Sequence, residues 1–180
     1  MDDTEATPAL VESARRGHSG AMDALYRRFA PVVHGVLLGY VQKADADDLT
    51  QDVFEVAMQR LGDLREAAAF PGWIVSIARR AALDAKRRRA PLTGVGFETD
   101  SGAATHEERL DAQRTLQAIR GLPEAYRETL MLRLVEGLTG PEISGRTGLT
   151  PGGVRVNLHR GMALLRASLG IANGLGVQAK

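Results

Sequence analysis

An all-α fold in two small helical domains joined by a flexible linker, the second domain a helix-turn-helix, is the architecture this sequence predicts. Three observations predict it. Apolar residues recur at helical spacing along almost all of the 180 residues, and no segment alternates for long as a strand does. Residues 90–105, APLTGVGFETDSGAAT, lack a core pattern and contain three Gly, which marks a linker. Beyond it, a short capped helix, a Gly-containing turn and a longer helix follow one another closely.

The elements follow in chain order. Leu10 to about Arg16 reads as a short helix ended by Gly17. Ser19 is placed to cap a second helix that carries Met22, Leu25, Phe29, Val32, Val33, Val36 and Leu37 toward a core. Pro31 inside that pattern predicts a kink or break. The next helix starts near Asp45 and runs to Gly62. Leu49, Val53, Val56, Ala57 and Leu61 share one face, while Asp48, Asp52 and Glu55 line its neighbour. A loop from about Asp63 to Ala69 leads to Pro71, a first-turn proline. The helix beyond it buries Ile74, Ile77, Ala78 and Ala81 and finishes in Lys86-Arg87-Arg88-Arg89.

After the linker come four more helices. One runs from about Glu107 to Arg120, and one starts at Pro123 and is ended by Gly137. The third opens with the capping box Thr139-Gly-Pro-Glu142 around Ile143. The fourth has Thr150 as N-cap and Pro151 as its first residue, and buries Val154, Leu158, Leu165 and Leu169. The domains are then 1–90 and 107–170, with a linker over 91–106 and a tail over 171–180. As a coil, 16 linker residues average about 22 Å end to end and stretch to roughly 55 Å. Two modules joined this way can occupy well-separated surfaces.

Composition narrows the function. No stretch approaches the ~20 apolar residues of a membrane helix, the acidic start lacks a signal-peptide pattern, and zero Cys excludes thiolate metal sites and cysteine catalysis. A soluble, cytoplasmic protein is expected. The net charge of +1 hides an asymmetry: residues 1–70 hold 7 basic and 12 acidic side chains, residues 71–90 hold 6 and 1, and residues 122–180 hold 7 and 4. Two basic segments point to two polyanion contacts, with acidic surface left for another partner. The four His are scattered without metal-ligand spacing, and no phosphate-binding Gly loop is present. Neither catalysis, nor a metal, nor a cofactor is expected.

Two constellations carry the chemistry. The helix-turn-helix presents Gly152, Arg155, Val156, His159 and Arg160, and small residues at its start let backbone approach DNA. Arg155 has the reach and geometry for a bidentate contact to guanine. The segment Phe70 to Arg89 sets Arg80, Arg87 and Arg88 on one helical side with Asp84 among them, a strip able to follow a phosphate backbone. Trp73 either stacks on a base or packs beside Ile74 and Ile77. A basic helix of this kind also suits an anionic membrane surface, and a stand-alone duplex-binding regulator needs only the helix-turn-helix.

Three stretches together resemble one family: Asp45-Ala-Asp-Asp-Leu-Thr-Gln-Asp-Val-Phe54, then Trp73 to Arg89, then Leu122-Pro-Glu-Ala-Tyr-Arg-Glu through Leu158-His-Arg160. In order and spacing they resemble the extracytoplasmic-function (ECF) sigma factors of bacterial RNA polymerase. The resemblance implies that Asp47, Asp48, Gln51, Asp52 and Phe54 dock on the β′ clamp helices of core polymerase. It implies that Asp63, Leu64, Arg65, Trp73, Arg79, Arg80, Arg87 and Arg88 bind and melt the −10 promoter element. Thr150, Gly152, Gly153, Arg155, Val156, His159 and Arg160 match the −35 reader, whose domain also contacts the β flap. The linker, with Glu98 and Asp100, resembles the segment that runs through the polymerase cleft. An anti-sigma factor is the implied inhibitor. Three departures stand out: Arg80 replaces a frequent Asn, the third C-terminal helix, Thr139-Gly-Pro-Glu-Ile-Ser-Gly-Arg146, has more Gly and Pro than usual, and Pro151-Gly152-Gly153 is an unusual start for the recognition helix.

Overall fold

The computed structural model describes residues 3–88 and 105–171, and every regular element among them is helical. The N-terminal half contains α1 (Asp3–Arg15), α2 (Ser19–Leu38), α3 (Lys43–Gln59) and α4 (Phe70–Arg88). Two short 3-10 turns, Leu61–Asp63 and Ala67–Ala69, bridge α3 and α4. The C-terminal half contains α5 (His106–Arg120), α6 (Glu124–Leu134), α7 (Gly140–Thr147) and α8 (Pro151–Ser168).

The apolar stripe of α2 makes it the central post. Phe29, Val32, Val33, Val36 and Leu37 are fully buried, and α2 packs against α1, α3, α4, α6 and α7. The ring of Phe29 meets that of Phe70 edge-on at 5.0 Å, locking the start of α4 onto α2. Each such side chain contributes about 1.5–3 kcal/mol by leaving water. In the C-terminal half, Leu130, Met131 and Leu132 of α6, with Ile119, Ile143, Val154 and Leu165, close a second group of helices. The buried residues of both halves form one continuous core.

Several local expectations change. α1 begins earlier than Leu10 and accommodates Pro8 in its first turns. Ser19 is the first residue of α2, and the N-cap is His18, which makes no side-chain cap bond. Pro31 does not break α2. A proline removes one backbone hydrogen bond and costs roughly 3 kcal/mol in a helix interior, but α2 is held on several sides by packed helices. α3 starts at Lys43, and the expected loop after it contains the two 3-10 turns. The linker residues Glu98 and Asp100 lie outside the described residues.

The largest difference is the relation of the halves. The sequence suggested separated modules, whereas α6 lies along α2 and α7 lies against α1, α2 and α4. Gly35 allows the approach: a Cβ there would stand 2.8 Å from Leu132 Cδ2. Beside it, Arg120 Nε donates to Leu38 O at 2.9 Å and Arg120 Nη2 to Val41 O at 2.6 Å, a cation at the carbonyl end of α2.

Candidate functional site

The acidic face belongs to α3. Asp48, Gln51, Asp52 and Glu55 are exposed along it, because Ala46, Val53 and Ala57 occupy the buried side. Phe54 turns inward instead. It is 4% exposed and its ring sits 4.7 Å from that of Tyr26, so it supports the face rather than standing on it. Asp47 is exposed but engaged. Lys43 Nζ is 3.0 Å from Asp47 Oδ2, and this bond holds the Asp47 carboxyl below its ordinary range. On its other side, Asp47 Oδ1 lies 3.0 Å from His34 Nε2, an ion-pair contact.

The basic strip belongs to α4 and the turns before it. Asp63 and Arg65 are exposed, while Leu64 is buried and anchors the turn. Trp73 is half-buried, its ring 5.9 Å from that of Phe70, so most of its indole is committed to the core edge. Arg80, Arg87 and Arg88 face solvent. Asp84 holds this end together: Arg87 Nη1 reaches its carboxylate and Arg88 Nε its carbonyl, each at 3.4 Å.

Arg79 is placed differently from its neighbours. Its Nε and Nη2 donate to the two carboxylate oxygens of Glu128 at 2.9 and 2.8 Å, and Nε lies 3.0 Å from Glu124 Oε1. Tyr40 Oη donates to the same Glu128 at 3.1 Å, and Arg127 stacks over the Tyr40 ring at 4.1 Å. The Glu128 bond raises the Arg79 pKa; burial raises that of the Tyr40 phenol.

The third surface is built by α7 and α8. The expected capping box is present at Thr139 and Glu142. Gly148 adopts φ +77° in the turn, a left-handed conformation that suits glycine. Thr150 Oγ1 accepts from Gly153 N at 3.1 Å and starts α8. Val154 is buried, and Asn157 Nδ2 donates to Thr129 Oγ1 at 3.3 Å, fixing α8 against α6. With that face turned in, Gly152, Arg155, Val156, His159 and Arg160 are exposed, and Gly153 is half-exposed. Gly161 permits the close packing, since a Cβ would meet Leu130 and Tyr126 at 3.2 Å.

Sequence reasoning missed a set of side chains that join the halves: His34, Tyr40, Arg120, Glu124, Glu128 and Glu136. Glu124 and Glu128 stand one turn apart on α6, which marks a shared face but not what that face meets. No group of three or more potential metal ligands is gathered among the described residues.

Two family models match the chain. Sigma-70 region 2 covers residues 25–91, and Sigma-70, region 4 covers residues 112–165. RNA polymerase sigma factor CarQ of Myxococcus xanthus is 31% identical over 166 residues, 89% of this chain and 95% of CarQ. The chain is an ECF sigma factor. The RNA polymerase sigma-H factor of Pseudomonas aeruginosa is 32% identical over 173 residues, 87% of this chain and 90% of that protein. The ECF RNA polymerase sigma-E factor of Escherichia coli K12 is 30% identical over 176 residues, 89% of this chain and 92% of its own. Among solved structures, CnrH, determined with the cytosolic domain of CnrY, shares the fold with a TM-score of 0.62. It is 24% identical, and the match covers 93% of this chain and 99% of CnrH. RpoE of Bartonella quintana, solved with the anti-sigma factor NepR, gives a TM-score of 0.53 at 19% identity, over 83% of this chain and 97% of that one.

This ECF sigma factor therefore directs transcription initiation as a non-enzymatic subunit of RNA polymerase. Its region 4 carries a DNA-binding helix-turn-helix.

Proposed function

We propose that this sigma factor divides its work among the three surfaces. The exposed acids of α3, Asp47, Asp48 and Asp52 with Gln51, dock on the β′ clamp helices of core polymerase, and the C-terminal domain meets the β flap. Asp63, Arg65, Arg79, Arg80, Arg87 and Arg88, with Leu64 and Trp73 as supports, hold the −10 element and stabilise its opened strand. Unstacking costs a few kcal/mol per base, which tighter binding of exposed bases offsets. Arg155, Val156, His159 and Arg160, with the backbone at Thr150, Gly152 and Gly153, read the −35 element. The domain limits follow this division: 1–90, a linker over 91–106, then 107–170.

The observation that carries this reading is the segregation of charge on exposed helix faces. Acids stand on α3 opposite the buried Val53 and Ala57, and arginines stand on α4 and α8. Phe54, being buried, is assigned a supporting role. An anti-sigma factor is proposed as the inhibitory partner, because RpoE of Bartonella quintana was solved with the anti-sigma factor NepR. The site of action is the cytoplasm, where sigma factors work. No helix among the described residues is long and apolar enough to cross a membrane.

The test uses purified core polymerase. The wild-type chain should co-purify with it and support promoter-dependent transcripts, and D48K/D52K should lose co-purification while keeping its helical signal and melting temperature. Undiminished co-purification of that double variant would remove α3 as the docking face.

A further inference from the structure

We propose that Arg15, at the end of α1, is a positioning residue for the −10 contact: its guanidinium ties the 3-10 turn Leu61–Asp63 to α1 and so sets where Asp63 and Arg65 stand. The proposal rests on the reading above of that turn as DNA-facing. Arg15 Nε donates to Leu61 O at 3.2 Å, a bond between residues 46 apart in the chain. Among the described residues it is the one hydrogen bond of this side chain outside α1. Nη1 donates to Glu12 Oε1 at 2.6 Å, and Nη2 is buried without an acceptor. An exposed pair such as Glu12–Arg15 adds little stability, but it orients the guanidinium toward the turn.

The turn needs such a tie. A three-residue 3-10 piece has poor hydrogen-bond geometry, and no side chain caps this one. Leu61 and Leu64 are buried and hold its inner edge, while Asp63 and Arg65 are exposed. On the side toward α1 an open pocket of about 460 Å³ adjoins it, lined among others by Ala14 and Arg15 of α1, Met22 of α2, Met58 of α3, and Gly62 and Arg65. Close packing therefore does not hold the turn there, and the Arg15 bond to its first carbonyl takes that part. The same helix also packs on the second turn, Ala67–Ala69, so α1 backs the whole passage from α3 to α4. Groups that read a ligand have to be held to within about 0.5 Å by the residues behind them. Arg15 supplies that support without touching DNA itself.

The test is promoter selectivity with core polymerase and the full chain. R15M keeps an apolar stem beside Met22 and Met58 but donates no hydrogen bond, and R15K keeps the charge and one donor group. Each variant is assayed on a promoter that the wild type transcribes and on versions with single substitutions in the −10 or the −35 element. Co-purification with core polymerase, as in the wild type, shows that each variant is folded. We expect R15M to shrink the ratio of parent to −10-substituted transcripts at least threefold, to leave the −35 ratio within twofold of wild type, and R15K to recover part of the loss. Ratios that do not change, −10 and −35 ratios that fall equally, or no recovery with R15K each overturn the proposal. R65A separates the two levels of the reading. If it leaves the −10 ratio untouched, the turn is no −10 contact and both readings fall; if it lowers that ratio while R15M does not, the positioning role alone falls. Hydrogen exchange of the free chain gives a readout that needs no promoter. Amides of residues 61–65 should exchange faster in R15M than in the wild type while those of α2 and α3 match it, and equal exchange over 61–65 also overturns the proposal.

Discussion

His34 shows how much a single side chain contributes at the junction. The hydrogen bond to Glu136 raises its pKa above the ordinary 6.5, with burial opposing and Asp47 assisting. The charged groups facing it are Glu136 from beyond α6 and Asp47 from α3, the latter shared with Lys43. Because the folded-state value is raised, the stabilisation is complete below about pH 6.5 and is lost as pH rises through the folded value. Stability measured by urea unfolding should therefore fall across that window in the wild type, and H34N should flatten the profile. Arg120 acts by a different route: burial lowers its pKa to about 10, and it donates to the carbonyls of Leu38, the last residue of α2, and Val41 in the turn beyond it. R120A removes charged hydrogen bonds from a half-buried site, so a loss of about 1.5–3 kcal/mol in urea titrations is expected. Neither role was legible in the sequence. His34 and Glu136 are 102 residues apart, and helical periodicity says which way a side chain faces without saying what it meets.

At the scale of elements, far more was legible. The Thr139–Glu142 box and the Thr150 cap depend on residues three apart, and a local signal of that kind survives any tertiary arrangement. T150A should cost about 1 kcal/mol in thermal unfolding. The acidic face of α3 was also readable, because charge and apolar residues segregate at helical spacing. Phe54 and Pro31 mark the limits. A large apolar residue beside an acidic face is ambiguous until Tyr26 is seen to cover it, and the proline is tolerated because neighbours hold α2 in place. The recognition helix makes its own prediction. R155A should weaken −35 binding by about 1–3 kcal/mol at one promoter position if Arg155 reads a base. A loss that is uniform across promoter sequences would place it on phosphate instead.

For the whole molecule, the family was readable from three spaced stretches, whereas the folded-back arrangement was not. It depends on Gly35, a small residue in a helix that otherwise reads as apolar, and on acids that look solvated in sequence. G35A crowds Leu132 and should cost about 1–3 kcal/mol of folded-back stability, visible as earlier thermal unfolding. The halves share one core, yet 16 residues separate Arg88 from Thr105 and can span roughly 55 Å. Packing on itself and reaching two promoter elements are therefore both within the chain's covalent limits.

The central claim is that acids on one face bring this factor to polymerase while arginines on two others choose the start site. Mapping transcript 5′ ends after expressing the wild type, D48K/D52K and R155A tests it most directly. The account predicts a new set of starts with the wild type, none with D48K/D52K, and with R155A a subset that depends on the upstream sequence. The same new starts in all three strains would contradict it.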